Sequence, residues 1–389
     1  MARCDRLPGV SIQTVGVVGL GTMGAGIAEV FARGGLTVTA VEVNDQLLEA
    51  GRGRIRASLQ RAVDRGRLDA ADQADIVERL GFSTARSDLA SCDLVVEAVP
   101  ERLDLKTALF DELDKICPAH TVLATNTSSL PVTAIAAATG RPDRVVGMHF
   151  FNPAPVMRLV EVVRTVVAAD DAVDSVVEVA TRCGKTPVLV GDRAGFIANA
   201  LLFGYLNDAA LMAERQHADV ADIDAAMTGA AGFPMGPLAL MDMIGLDVCL
   251  EVLEVMYDET RHRRYAPAPL LKRLVLAGLL GRKAGQGYYR YGDGPPEPAL
   301  SFTVSPPVRA SLRRRPSYIV ETLLYPHLDD AVRMLEDNYA TRDDIDTAMR
   351  LGCGYPRGPF ALLDEIGPKV VADALEQAGR MTSPLMREL

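Results

Sequence analysis

The tightest constraint on this chain is a glycine triplet lodged between a strand and a helix. Val15-Gly16-Val17-Val18 is a short apolar run, Gly19-Leu20-Gly21-Thr22-Met23-Gly24 follows it, and Ala25 to Arg33 reads as a helix. Leu36 to Val43 is a second β-branched run. In such a unit the first glycine permits the tight turn and the second lets backbone approach a pyrophosphate. The third lets helix and strand pack closely. The helix N-terminus offers free N–H groups and the positive end of its dipole to a phosphate. Glycines alone serve tight turns as well. The strand, the helix and an acidic residue closing the next strand together favour a dinucleotide. That acid is Glu42, 23 positions after Gly19. A carboxylate there binds both ribose hydroxyls and repels a 2′-phosphate, so the expected cofactor is NAD rather than NADP.

Further short apolar strands follow at 94–99, 121–125 and 145–148, with two charged helices between 45 and 80. Strands alternating with helices predict an α/β, doubly wound, Rossmann-type domain with a parallel sheet covered on both faces. Near residue 192 the texture turns helical and stays so to the end, apart from residues 291–316. That stretch holds six prolines, at 295, 296, 298, 306, 307 and 316, and reads as an extended linker. The helical texture is repeated. A shift of 122 residues aligns 193–246 with 315–368 without a gap, and 24 of the 54 positions are identical. Average composition gives roughly one in fifteen. The expected organisation is a nucleotide-binding domain over 1–192 and a first helical domain over 193–291. A Pro-rich linker over 292–316 and a second helical domain over 317–389, homologous to the first, follow.

The charge balance narrows the partners. With 51 acidic and 41 basic residues the net charge is −10. Such a chain has no global attraction for nucleic acid or anionic lipid. No run of 18 uninterrupted apolar residues occurs, so no membrane span is expected. Cysteines 4, 92, 117, 183, 249 and 353 lack metal-ligand spacing and read as reduced thiols, which points to the cytoplasm and to no metal.

Two loops at the carboxyl ends of strands hold chemistry-bearing residues. Thr125-Asn126-Thr127-Ser128-Ser129 follows one strand and His149-Phe150-Phe151-Asn152-Pro153 another. A lone histidine is more often structural than catalytic. Twelve residues on, however, Glu161 interrupts an apolar strand, Met157 to Val163. It is either a solvated edge-strand charge or a buried carboxylate in need of a partner. A hairpin-like return would bring it to His149. There it would fix the imidazole tautomer and stabilise the imidazolium, leaving the second nitrogen to take a hydroxyl proton.

These pieces, in this order, closely resemble the L-3-hydroxyacyl-CoA dehydrogenase family. The matching segments are 19–28, 96–101, 125–130, 149–153, 192–199 and 281–289, the last reading Gly-Arg-Lys-Ala-Gly-Gln-Gly-Tyr-Tyr. The resemblance implies His149 as general base and Glu161 as the acid that orients it. It implies Ser128 and Asn199 as the polar pair holding the substrate. For NAD it implies the turn residues Gly19, Leu20, Gly21, Thr22, Met23 and Gly24, with Glu42, Glu101, Lys106, Asn126 and Asn152. For the CoA moiety it implies Ser58 and Arg65, the latter within the run Arg52, Arg54, Arg56, Arg61, Arg65, Arg67, which as a simple alternative is a solvated basic face.

The chain departs from the family pattern at Glu42, where aspartate is common, at Arg65, where lysine is usual, and at Ala200, where arginine is usual. The second helical copy has Glu321 in the place of Asn199. The expected reaction is reversible, NAD-dependent oxidation of an L-3-hydroxyacyl-CoA to a 3-ketoacyl-CoA, in a cleft between the first two domains. A carrier-protein thioester or a free hydroxy acid is the alternative substrate. A non-enzymatic, crystallin-like role is disfavoured by the intact Ser128, His149, Glu161 and Asn199. The assembly expected is a homodimer, or a monomer in which the two helical copies form an internal pseudo-dimer.

Overall fold

The computed structural model describes residues 11–299 and 315–389. They divide into two compact units, one ending at Phe196 and the other beginning at Ile197. Both helical copies therefore fall in the same unit. Most of the proline-rich linker, and Cys4, lie outside the described residues.

The first unit is built on an eight-stranded sheet. Its strands are β1 (Thr14–Val18), β2 (Thr37–Val41), β3 (Leu80–Ser83), β4 (Leu94–Glu97), β5 (Val122–Thr125), β6 (Val145–Phe150), β7 (Leu159–Arg164) and β8 (Thr186–Gly191). The spatial order is β3-β2-β1-β4-β5-β6-β7-β8. Every residue of β4, β5 and β6 is buried, as strands covered on both faces must be. The covering helices include α1 (Thr22–Arg33), α2 (Asp45–Asp64), α3 (Ala70–Glu78), α4 (Leu103–Ile116), α5 (Val132–Ala136) and α6 (Asp170–Arg182).

The sheet is not wholly parallel, as the alternating pattern had suggested. β6 and β7 pair antiparallel. Only residues 151–158 separate them. A parallel crossover needs a dozen residues or more, so the chain can only double back. Residues at the β1–β4 junction mark the point where the winding reverses, the usual seat of a ligand in such sheets.

Among the described residues the second unit is helical apart from the short pairing of Tyr289–Arg290 with Glu297–Pro298, which orders the start of the expected linker. Its helices are α7 (Ala198–Glu214), α8 (Val220–Gly229), α9 (Pro237–Ile244), α10 (Leu246–Thr260) and α11 (Pro269–Leu276), then α12 (Pro316–Glu336), α13 (Arg342–Gly352), α14 (Pro359–Ile366) and α15 (Pro368–Gln377). Helix α7 is buried nearly all round and is the core of its copy.

The repeat has a mechanical reason. In the first copy the Asp224 carboxylate accepts the N–H groups of Leu238 and Ala239 at 2.9 and 3.0 Å, capping α9 from outside. In the second, Asp346 caps α14 through Phe360 and Ala361 at 2.7 and 3.1 Å. Glycine precedes each cap because a Cβ on Gly236 or Gly358 would fall 2.2 or 2.1 Å from the aspartate. Asp242 and its counterpart Asp364 have diverged in use. Asp242 is buried and accepts the N–H groups of Tyr288 and Tyr289 at 3.0 and 2.9 Å. Asp364 is exposed and pairs with Arg342.

The two copies meet through equivalent residues. Tyr205 faces His327, its counterpart, with ring centroids 5.7 Å apart, and Phe233 faces its own counterpart Tyr355 at 4.6 Å. Within each copy the same two rings are 5.6 Å apart. Such self-matching contacts are the signature of a two-fold interface. Arg264, 9% exposed, lies between the equivalent carboxylates Asp208, at 3.6 Å, and Asp330, with which it is in direct contact. Its guanidinium also donates to the Pro326 carbonyl at 3.1 Å. A Cβ on Gly204 would stand 2.3 Å from it, so glycine there makes the room.

Candidate active site

The glycine turn has the shape a pyrophosphate requires. Gly19 has φ +89°, and a Cβ on it would lie 2.9 Å from the Ala98 carbonyl. A Cβ on Gly24 would lie 1.7 Å from the Gly19 carbonyl, so helix and turn could not close on any other residue. Gly21, by contrast, faces open space within 4 Å. No side chain caps the N-terminus of α1, which leaves its first N–H groups to a ligand. Glu42 reaches back to this turn and accepts the Leu20 N–H at 2.7 Å and the Val43 N–H at 2.9 Å. The acid is therefore held at the lip of the turn, where ribose hydroxyls can exchange with these donors. Leu20, Thr22 and Met23 complete the turn. These features fit a dinucleotide.

His149 and Glu161 are brought together by register. They are directly opposed in the antiparallel β6–β7 pair. His149 Nδ1 lies 2.8 Å from Glu161 Oε2. The carboxylate is fully buried and the imidazole 6% exposed. Of the two readings of Glu161, the structure has the buried one. Phe151 and Phe196 pack on the imidazole with centroids at 4.5 and 5.7 Å. Phe196 does so from a left-handed backbone, φ +48°, just after Gly195 at φ +76°. Asn126 supports the same strand, its Oδ1 accepting the Phe150 N–H at 2.8 Å. The Asn152–Pro153 bond is cis, and Asn152 is exposed beside it.

Ser128 sits in a second cluster with Glu101 and Lys106. Glu101 Oε1 accepts the Ser128 N–H at 2.9 Å and the Thr127 hydroxyl, and Lys106 Nζ lies 3.3 Å from its other oxygen. Burial raises the Glu101 carboxyl, but Lys106 and these donors outweigh it and hold its pKa below the ordinary value.

Four residues outside the expected set support the site. Glu97 is a buried acid ending an apolar strand, and its carboxylate holds Lys106 at 2.7 and 2.9 Å. Asp192 accepts the Val132 and Thr133 N–H groups at 3.0 and 2.6 Å, capping α5 beyond the Ser128 loop. Lys185 donates to the Ala154 and Met157 carbonyls at 2.6 and 2.8 Å, anchoring the loop that joins His149 to Glu161, and burial pushes its ammonium down to about 8. Phe196, named above, is the fourth.

The remaining candidates are placed singly. Asn199, half-buried, stands in the first turn of α7, in the second unit. Ser58 is half-buried on α2 and Arg65 is exposed at its C-terminus. The basic run divides. Arg52 pairs with Glu49 and covers the Phe82 ring at 5.0 Å, and Arg54 donates to the Leu20 carbonyl at 3.1 Å. Arg56, Arg61, Arg65 and Arg67 are exposed. Among the described residues no group of three or more His, Cys, Asp or Glu side chains forms a metal site, and no helix is long and apolar enough to cross a membrane. Burial pushes the Cys92 and Cys117 thiols up to about 12 and about 11.

Comparison with known proteins agrees with this arrangement. Residues 14–193 match the model of the 3-hydroxyacyl-CoA dehydrogenase NAD binding domain. The model of the family's C-terminal domain matches twice, over 195–291 and 318–388. A 3-hydroxybutyryl-CoA dehydrogenase of Mycobacterium tuberculosis is 47% identical over 72% of this chain and 99% of its own. The 3-hydroxyadipyl-CoA dehydrogenase of Escherichia coli is 36% identical over 94% of both chains. A crystal structure of 3-hydroxybutyryl-CoA dehydrogenase from Escherichia coli superposes with a TM-score of 0.87 at 33% identity, over 97% of this chain and 98% of that one. By these matches the chain belongs to the 3-hydroxyacyl-CoA dehydrogenase family, as an NAD-dependent oxidoreductase.

Proposed function

We propose that this enzyme interconverts an L-3-hydroxyacyl-CoA and its 3-ketoacyl-CoA with His149 as the proton-transferring group. The observation that carries the assignment is the 2.8 Å contact between His149 Nδ1 and the buried Glu161 carboxylate. With Nδ1–H donated to Glu161, Nε2 is left as the acceptor, and it takes the substrate's hydroxyl proton in the oxidation. Glu161 then faces an imidazolium and stabilises it. In the reductive direction the same proton returns to the oxygen. NAD, when bound, supplies the hydride acceptor for C3. Glu101 holds the Ser128 backbone, and Ser128 and Asn199 are assigned to the substrate oxygen by family resemblance. Asn126 and Asn152 are assigned to the cofactor on the same ground, and Ser58 and Arg65 to the CoA moiety. A cytoplasmic location is supported by the free cysteines at 92, 117, 183, 249 and 353.

The test follows absorbance at the reduced-nicotinamide band when the protein and NADH are mixed with acetoacetyl-CoA. Because a relative that spans nearly the whole chain is named for 3-hydroxyadipyl-CoA, 3-ketoadipyl-CoA is run beside it. NADH consumption that vanishes in His149→Ala, with NADPH a poor substitute, is the expected result. Turnover retained in His149→Ala would refute the assignment of the base. Binding of NADH without turnover of either thioester would move the substrate to a carrier-protein ester.

A further inference from the structure

We propose that Glu97 is a positioning residue which, through Lys106, sets the net charge around Glu101 and so favours the oxidised dinucleotide over the reduced one. The inference rests on the dehydrogenase reading above and deepens it.

Glu97 is the last residue of β4 and is fully buried. Strand β4 borders β1 at the winding reversal, so its carboxyl end opens on the cofactor crevice. Three donor groups make four hydrogen bonds to the carboxylate. Lys106 Nζ lies 2.7 and 2.9 Å from its two oxygens, the Thr125 hydroxyl donates at 2.7 Å and the Val99 N–H at 2.6 Å. Thr125 is its direct neighbour in the β4–β5 register, so the sheet itself fixes that donor. Lys106 is 1% exposed and continues to Glu101 Oε2 at 3.3 Å. Glu101 in turn holds the Ser128 N–H at 2.9 Å.

Two carboxylates thus share one ammonium, and the cluster carries one surplus negative charge. A buried ion pair kept only for stability is readily replaced by apolar groups. Here the pair ends on a third charged group at the mouth of the crevice. The oxidised cofactor has a positive nicotinamide ring that the reduced form lacks. A fixed buried charge at this end of the sheet separates the two forms by roughly three- to tenfold in affinity. Replacing Glu97 by glutamine keeps the shape and leaves Lys106 paired with Glu101, so no buried charge is orphaned, but the surplus falls to zero.

The experiment measures dissociation constants for NADH, by its fluorescence, and for NAD, by displacement, in the wild type, Glu97→Gln and the double variant Glu97→Gln/Lys106→Met. Thermal melting checks that each is folded. The expected result is that Glu97→Gln loses about three- to tenfold more affinity for NAD than for NADH. Equal losses for both forms, or none, would overturn the proposal, since a merely structural role weakens both alike. The double variant restores the surplus charge with a neutral buried pair, and its affinity ratio is expected within about twofold of the wild type. A double-variant ratio displaced about threefold or more from the wild type overturns the proposal too, whether or not the single variant folds. A wild-type chain that binds neither form overturns the cofactor reading and this inference with it.

Discussion

Replacing Glu161 by glutamine separates what the carboxylate does for the fold from what it does for the reaction. Glutamine has nearly the same shape and can still accept the Nδ1–H of His149, so the tautomer survives. What disappears is the charge facing the imidazolium. At the observed 2.8 Å, the attraction between unit charges is about 6 kcal/mol for an effective dielectric of 20. The amide dipole and local relaxation recover about half, leaving roughly 3 kcal/mol, or a fall in kcat of about 10²-fold. The ground state, with a neutral imidazole, loses little, so the cost is expected in kcat rather than in KM. Stability moves the other way or not at all, because burying a neutral amide costs less than burying a carboxylate. The assay is NAD reduction with the 3-hydroxyacyl-CoA at saturating concentrations, beside thermal melting of both proteins. A variant that keeps kcat within fivefold of wild type, or one that melts much lower and loses activity only in proportion, would refute the charge argument.

Two further outcomes are expected in the second unit. His327 is fully buried, its Nδ1–H donates to the Leu201 carbonyl at 3.2 Å, and burial holds its pKa down to about 3, below its ordinary 6.5. A base with a depressed folded pKa gives stability that is complete above the unfolded value and is lost as pH falls through the interval between the two. Urea unfolding at pH 7 and pH 5 is therefore expected to show His327→Phe losing about 2 kcal/mol less than wild type over that interval; equal losses would refute it. Deleting 318–389 uncovers Tyr205 and Phe233, the rings that meet their counterparts. Light scattering is expected to show the truncated chain pairing with another copy of itself while the full chain does not pair through this face; an unchanged order of association would refute the internal pseudo-dimer.

Much of this was legible in the sequence because local rules and tertiary outcome agree. The glycine turn is one such case: Gly19 and Gly24 are forced by backbone contacts that no side chain could survive. The spacing of His149 and Glu161 is another, since a short return between two strands leaves only an antiparallel pairing and one register. The repeat announced the doubled helical region outright. What stayed hidden depends on partners distant in the chain. Glu97 reads as the polar end of an apolar strand until Lys106, Thr125 and Val99 are seen around it. Lys185 gives no sign that its ammonium ties down a loop nearly thirty residues earlier. Glu297–Pro298 sits among prolines that favour extended chain, and extended chain can equally add to a strand edge, as it does here beside Tyr289–Arg290.

One arginine between two equivalent aspartates has a meaning beyond stability. In a dimer of identical chains every residue near the axis comes twice, so any cation offered to the pair of carboxylates arrives with a twin that must be housed beside it. Arg264 has no twin: the position 122 residues on is Met386, which is buried. Within one polypeptide the two sides of such a contact are free to differ. Gly204 opened space on one side, and Pro326 stands on the other with its carbonyl turned to the guanidinium. The result is a lock with a distinguishable left and right half. Such a joint is fully satisfied only where a first half meets a second half.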